Sequence, residues 1–156
     1  MLTARIFIHG LESSSQGTKA VFFRGRYPDM ILPTFEGELQ ERMGTLQDLL
    51  SGRSAIRMVG SSFGGLMATL FAMREPSKLV RMVLLAPAIH RIEPRENGPI
   101  HVPTTIYHGT QDTVIPLDGV QRVAHGIFTH LDFHAVDDDH FLHRTFKTLD
   151  WDRLLA

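Results

Sequence analysis

The chain has 156 residues and a mass of 17.6 kDa. That suits one domain over residues 1–156, able to withdraw roughly 70% of its unfolded-state surface from water. With 43% apolar and 21% charged residues, disordered, collagen-like and coiled-coil readings are excluded. The formal net charge of −1 gives no pull toward nucleic acid or an anionic membrane. The absence of cysteine rules out a disulfide scaffold, a thiolate zinc site and a cysteine nucleophile. The longest apolar run, Met82 to Ala86, is far too short to span a membrane. No apolar leader precedes Arg5, so a soluble, cytoplasmic protein is expected.

Residues 4–8 read as a strand ending at His9-Gly10, followed by a polar loop over residues 12–17. A helix is predicted from Thr18, with Ser13 to Ser15 and Thr18 as its caps. Residues 30–33 read as a short second strand. Residues 38–50 place Leu39, Met43, Leu46, Leu49 and Leu50 at helical spacing. Residues 55–59 form a third strand, and residues 63–74 form a helix closed by Pro76. Residues 79–85, almost all apolar, read as a strand covered on both faces. Residues 104–107 give a fifth strand, 118–127 a helix and 133–136 a sixth strand. A closing helix is predicted over 141–155, with Leu142, Phe146, Leu149 and Leu154 on one side and Asp138 or Asp139 as its cap. Strand alternating with helix implies a three-layer α/β/α sandwich around a parallel sheet. In such sheets the functional groups gather past the carboxyl ends of the strands.

The third strand runs into Gly60-Ser61-Ser62-Phe63-Gly64, a Gly-x-Ser-x-Gly between strand and helix. This is the setting of a nucleophile elbow, where the turn is too tight for side chains two residues either side of the serine. Ser62 is therefore the candidate nucleophile. A serine needs a base, and the base needs an orienting acid. Asp112 follows the fifth strand and His140 follows the sixth, giving the order Ser62, Asp112, His140. Asp137, Asp138 and Asp139 are weaker candidates for the acid, because sequence neighbours of His140 reach its Nδ1 awkwardly. Backbone amides of Phe63, after the nucleophile, and Leu11, after Gly10, are the candidate oxyanion donors. Met67, Ile89, Ile115 and Phe141 are assigned to an acyl pocket from their positions along the chain.

These residues together resemble the α/β-hydrolase superfamily: His9-Gly10 after the first strand, the Ser62 elbow, His108-Gly109 with Asp112, Val114 and Pro116, and His140. The segment from His9 to Ala20 and the small size resemble the compact, lidless YqiA-like bacterial esterases. The resemblance implies a minimal fold with a six-stranded parallel sheet in the order 2-1-3-4-5-6. It also implies acyl transfer to water through an acyl-serine, with no cofactor and no metal. A small-molecule carboxylic ester or thioester with a short acyl chain is the expected substrate.

Three other readings compete. A phosphate-binding loop around Gly10, Gly17, Thr18 and Lys19 has the wrong spacing and the wrong Thr-Lys order, which leaves Lys19 a surface or rim charge; the resemblance to the YqiA-like proteins, in which this loop borders the site, also leaves open a role for Lys19 with an acidic substrate. Metal-assisted hydrolysis would use His134, His140 and His143, but nothing in the sequence fixes three convergent ligands. A non-catalytic binding module on the same fold is the third. His90, His101, His125 and His130 read as surface or loop residues.

Overall fold

The computed structural model describes residues 2–156. Five strands form one sheet: β1 (Leu2–Ile8), β2 (Arg53–Ser61), β3 (Leu79–Leu85), β4 (Thr104–Gly109) and β5 (Leu131–Val136). All neighbours are parallel and lie in chain order. The helices are α1 (Thr18–Arg26), α2 (Leu39–Leu49), α3 (Phe63–Arg74), α4 (Leu117–Ile127) and a single-turn α5 (Trp151–Leu154).

The sheet has five strands, not six. Residues 30–33 lie where the expected second strand belongs, on the free edge of β1, but form only one bridge. Ile31 donates to Arg5 O (2.8 Å) and accepts from Phe7 N (3.1 Å). Pro33 has no N–H with which to extend the ladder.

Period-two alternation sorts the strand residues between two cores. Ile6, Ile8, Ile56, Met58, Met82, Leu84 and Ile106 face one side, where Met43 and Leu46 of α2, Phe71 of α3 and Val120 and Val123 of α4 cover them. Phe7, Val59, Val83 and Leu85 face the other, against Ala20 and Phe23 of α1 and the C-terminal segment. Phe23 is fully buried there, 5.2 Å from Phe7, 5.4 Å from Phe146 and 4.8 Å from Trp151 between ring centroids. Burying one such side chain contributes about 1.5–3 kcal/mol.

The predicted closing helix is absent. Residues 140–141 and 143–145 are turns, Phe146–Thr148 is a 3₁₀ turn, and only α5 is α-helical. The cause is local. The buried Asp138 carboxylate accepts from the amides of Arg144 (3.0 Å) and Thr145 (2.8 Å), and Leu142 adopts a left-handed φ of 54°. Leu142, Phe146 and Leu154 are still buried in the core, so the helical spacing served packing without a helix. The predicted caps of α1 differ too. Gly17 occupies the cap with no side-chain bond, while Ser14 Oγ accepts from Gln16 N and Ser15 pairs with Thr34. The long loop over 86–103 is pinned, with Ile100 N bonded to Ile127 O at 2.7 Å and Ile89 fully buried. Among the described residues no helix is long and apolar enough to cross a membrane.

Candidate active site

β2 delivers its last residues into a turn that starts α3. Ser62 sits at its apex with φ 55° and ψ −115°, a left-handed conformation disfavoured for a side chain. The turn is held from three sides: Ser62 N donates to Leu85 O, and Ser62 O accepts from Gly65 N and Ala88 N, each at 2.9 Å. A Cβ at Gly60 would lie 2.5 Å from Gly64 O, and one at Gly64 would overlap the carbonyls of Ile8 and His9. Glycine is therefore required at both flanking positions. The Ser62 hydroxyl stands at the N-terminus of α3, where the helix favours developing negative charge.

The loops after β4 and β5 bring two side chains to it. His140 Nε2 lies 3.1 Å from Ser62 Oγ, and His140 Nδ1 lies 2.7 Å from Asp112 Oδ2. The acceptor at Nδ1 is a carboxylate, so Nδ1 carries the proton and Nε2 is free to accept from the serine hydroxyl. The Asp112 carboxylate is wholly buried. Its Oδ1 accepts from Val114 N and Ile115 N, both at 2.8 Å.

Sequence reasoning missed a fourth contributor. His108, in β4 and fully buried, is within 3.2 Å of Asp112 Oδ2 and 2.9 Å of Ile115 O through its Nε2. Its Nε2–H thus helps fix the carboxylate. Burial pushes the His108 pKa below the ordinary histidine value, against the Ile115 carbonyl and Asp112, which pull it up. The available signal was its position four residues before Asp112 at a strand end.

The other side of the site is backbone. His9 is buried and accepts from Phe35 N at 2.8 Å through Nε2, so its Nδ1–H donates to Gly10 O at 2.7 Å. Burial lowers the His9 pKa, against the pull of the Gly10 carbonyl, and the Arg42 charge adds to the lowering. Gly10 O also accepts from Ser13 N. In a trans peptide this turns the Leu11 N–H the opposite way. Among the described residues neither Leu11 N nor Phe63 N, at the start of α3, has a hydrogen-bond partner. Arg42 of α2, also missed from sequence, links the two. It is buried, donates to Leu11 O (3.3 Å) and Gly37 O (2.8 Å), and lies 5.5 Å from the Phe63 ring centroid.

A cleft of about 810 Å³ runs past Ser62 and His140. Of the four residues assigned to an acyl pocket, Ile115 and Phe141 line it, together with Ala88 and Val114. Met67 and Ile89 do not: both are fully buried in the core on the α3 side of the sheet. The three C-terminal histidines do not converge either. His134 Nε2 pairs with Asp132 (3.0 Å) and the ring stacks on Tyr107, while His143 pairs with Asp139 (2.6 Å). Among the described residues no three His, Asp or Glu side chains are arranged to hold a metal ion.

The family described as alpha/beta hydrolase fold matches residues 10–99, more than half of the chain. The chain belongs to the alpha/beta hydrolase family. No curated protein matches it. This α/β-hydrolase is similar in structure to mouse alpha/beta hydrolase domain-containing protein 10, at 18% identity and a TM-score of 0.74 over 88% of this chain and 82% of the other. It is also similar to Est1E from Butyrivibrio proteoclasticus, with 18% identity and a TM-score of 0.74 over 94% and 83%. A third likeness is to the Pyrococcus furiosus esterase Pf2001, with 17% identity and a TM-score of 0.71 over 99% and 84%. At these identities the likeness is one of fold.

Proposed function

We propose that this α/β-hydrolase is a serine hydrolase acting on carboxylic esters or thioesters with short acyl chains. The observation that carries the reading is the relay from Ser62 Oγ to His140 Nε2 (3.1 Å) and from His140 Nδ1 to Asp112 Oδ2 (2.7 Å). Ser62 attacks the acyl carbonyl while His140 takes its proton. Asp112 holds the ring in the required tautomer and stabilises its cationic form. The carbonyl oxygen becomes an oxyanion between the Leu11 and Phe63 amides, and losing one such donor costs about 3–4 kcal/mol of barrier. Collapse expels the alcohol or thiol, which takes the proton from His140. Water then gives a proton to His140 and attacks the acyl-serine. The acid leaves, and the proton returns to Ser62. No step asks for a cofactor. Esterases appear among proteins of similar fold. The apolar lining from Ala88, Val114, Ile115 and Phe141 suits a short acyl chain.

The test is hydrolysis of 4-nitrophenyl acetate and butyrate and an acyl thioester by wild type and the Ser62→Ala and His140→Ala variants. Turnover by wild type, lost in both folded variants and insensitive to a chelator, is the expected result. Activity that survives Ser62→Ala and dies with the chelator would replace this reading with metal-assisted hydrolysis. A folded wild type inert to every ester would leave a binding module.

A further inference from the structure

Lys19 is a cation whose placement helix stability does not explain. It lies in the first turn of α1, where negative charge is favoured and α1 has none. Its side chain nevertheless lines the cleft that holds Ser62 and His140. One of its three N–H groups donates to Phe141 O at 2.8 Å, and the ammonium lies 5.5 Å from the Phe146 ring centroid. The charge is thereby anchored one residue from His140.

Among the described residues Lys19 forms no ion pair. The two acids whose charge acts on it, Asp139 and Asp138, already serve other donors. Asp139 accepts from Phe141 N, His143 N and His143 Nδ1, and Asp138 from Asp139 N, Arg144 N and Thr145 N. Burial lowers the Lys19 pKa, and Asp139 and Asp138 only partly restore it. A second lysine, Lys147, lines both the cleft and an adjoining hollow of about 360 Å³, again without an ion pair among the described residues. Among the described residues the one acid lining the cleft is Glu12, which is exposed. A partly buried ammonium with two uncommitted donors in a largely apolar cleft is matched by an oxyanion from the ligand.

We propose that Lys19, with Lys147 lining the same cleft, docks a non-reacting anionic group, a carboxylate or a phosphate, on the molecule that Ser62 attacks. The inference rests on the serine-hydrolase reading and narrows its substrate class to charged esters or thioesters. The docking point is distinct from the Leu11 and Phe63 amides, which face the oxygen of the reacting carbonyl.

The experiment compares kcat/KM for mono-4-nitrophenyl adipate with its neutral methyl ester, and for 4-acetoxybenzoate with phenyl acetate, so that the charge is placed on either side of the scissile bond. Calorimetric titration with adipate and with butyl phosphate distinguishes the two anion chemistries without any need for turnover. The expected result is at least a ten-fold preference for one charged ester. That ratio collapses at least ten-fold in Lys19→Met, survives in Lys19→Arg and weakens in Lys147→Met. Binding of one of the two anions should likewise depend on Lys19. If Lys19 merely tethers the His140 loop, Lys19→Met lowers charged and neutral esters alike and the ratio stays fixed, which overturns the proposal. Hydrolysis without charge preference, and with neither anion bound, overturns it while the hydrolase reading stands. Lys19-dependent anion binding with no hydrolysis of any ester overturns the hydrolase reading and the substrate role with it, and leaves Lys19 the anion site of a binding module.

Discussion

Exchanging Asp112 for asparagine changes one atom at the buried centre of the proposed relay. In the native site Oδ1 accepts from the amides of Val114 and Ile115, both at 2.8 Å. The asparagine oxygen must stay there, which puts its NH₂ where Oδ2 was. That NH₂ meets the His140 Nδ1–H at 2.7 Å and the His108 Nε2–H at 3.2 Å, donor against donor. His140 relieves the conflict by moving its proton to Nε2, so that Nδ1 accepts from the amide. In that tautomer Nε2 can no longer take the Ser62 proton. A wrong-tautomer histidine of this kind lowers kcat about 10⁴-fold, or ~5.5 kcal/mol of barrier. Hydrogen bonds to a charged group contribute about 1.5–3 kcal/mol each, so Asp112→Asn also destabilises the fold by about 2–4 kcal/mol. Urea unfolding measures that loss, and kcat is then read on 4-nitrophenyl acetate where the variant is fully folded. A kcat within ten-fold of wild type would refute the assignment and return the role of acid to the 137–139 segment.

Three further outcomes follow from the geometry. Ser62 holds a left-handed φ of 55°, a strain of about 1–3 kcal/mol that glycine escapes. After the larger unfolded-state entropy of glycine, Ser62→Gly should be more stable than Ser62→Ala by about 1 kcal/mol in urea unfolding, with both inactive; equal stability would contradict the strained elbow. Arg42 holds the Leu11 carbonyl and packs on the Phe63 ring. Arg42→Met should therefore lower kcat about ten-fold, the equivalent of one hydrogen bond, and change KM much less; a pure KM effect would contradict a role in setting the oxyanion donors. His9 and His108 have folded-state pKa values lowered by burial, below the unfolded value of about 6.5. Between the two values the unfolded chain binds more protons, so their stabilisation is present above pH ~6.5 and is lost as pH falls through the folded values. Urea midpoints should fall from pH 7.5 to pH 5, and the imidazole NMR signals of both residues should stay those of the neutral form at pH 6.5; half-protonation there would contradict it.

The sequence exposed the parts whose physics is local. Strands such as residues 79–85 announced themselves by continuous apolarity, and the elbow by two glycines flanking a serine between strand and helix. The order Ser62, Asp112, His140 was legible because each residue follows a different strand. Local pattern misled where a distant or competing bond decided the outcome. Leu142, Phe146 and Leu154 have helical spacing, but the Asp138 carboxylate captures the amides of Arg144 and Thr145 and folds the segment into turns. Residues 30–33 have strand composition, yet Ile31 makes only one bridge to β1. Met67 and Ile89 lie near the elbow and the β3 exit in sequence, but chain position does not reveal which way a side chain points, and theirs enter the core. The role of Arg42 depends on Leu11 and Phe63, brought to it by the fold, so no window of sequence contained it; that of His108 lay within one window, four residues before Asp112, but only the fold turns its ring onto the carboxylate.

The most direct measurement is labelling of the folded protein with a fluorophosphonate probe, followed by mass mapping of its peptides. This account predicts a single adduct on the Ser62 hydroxyl, absent in Ser62→Ala and strongly slowed in folded His140→Ala. A folded wild type that takes no label, or takes it on another residue, would contradict it.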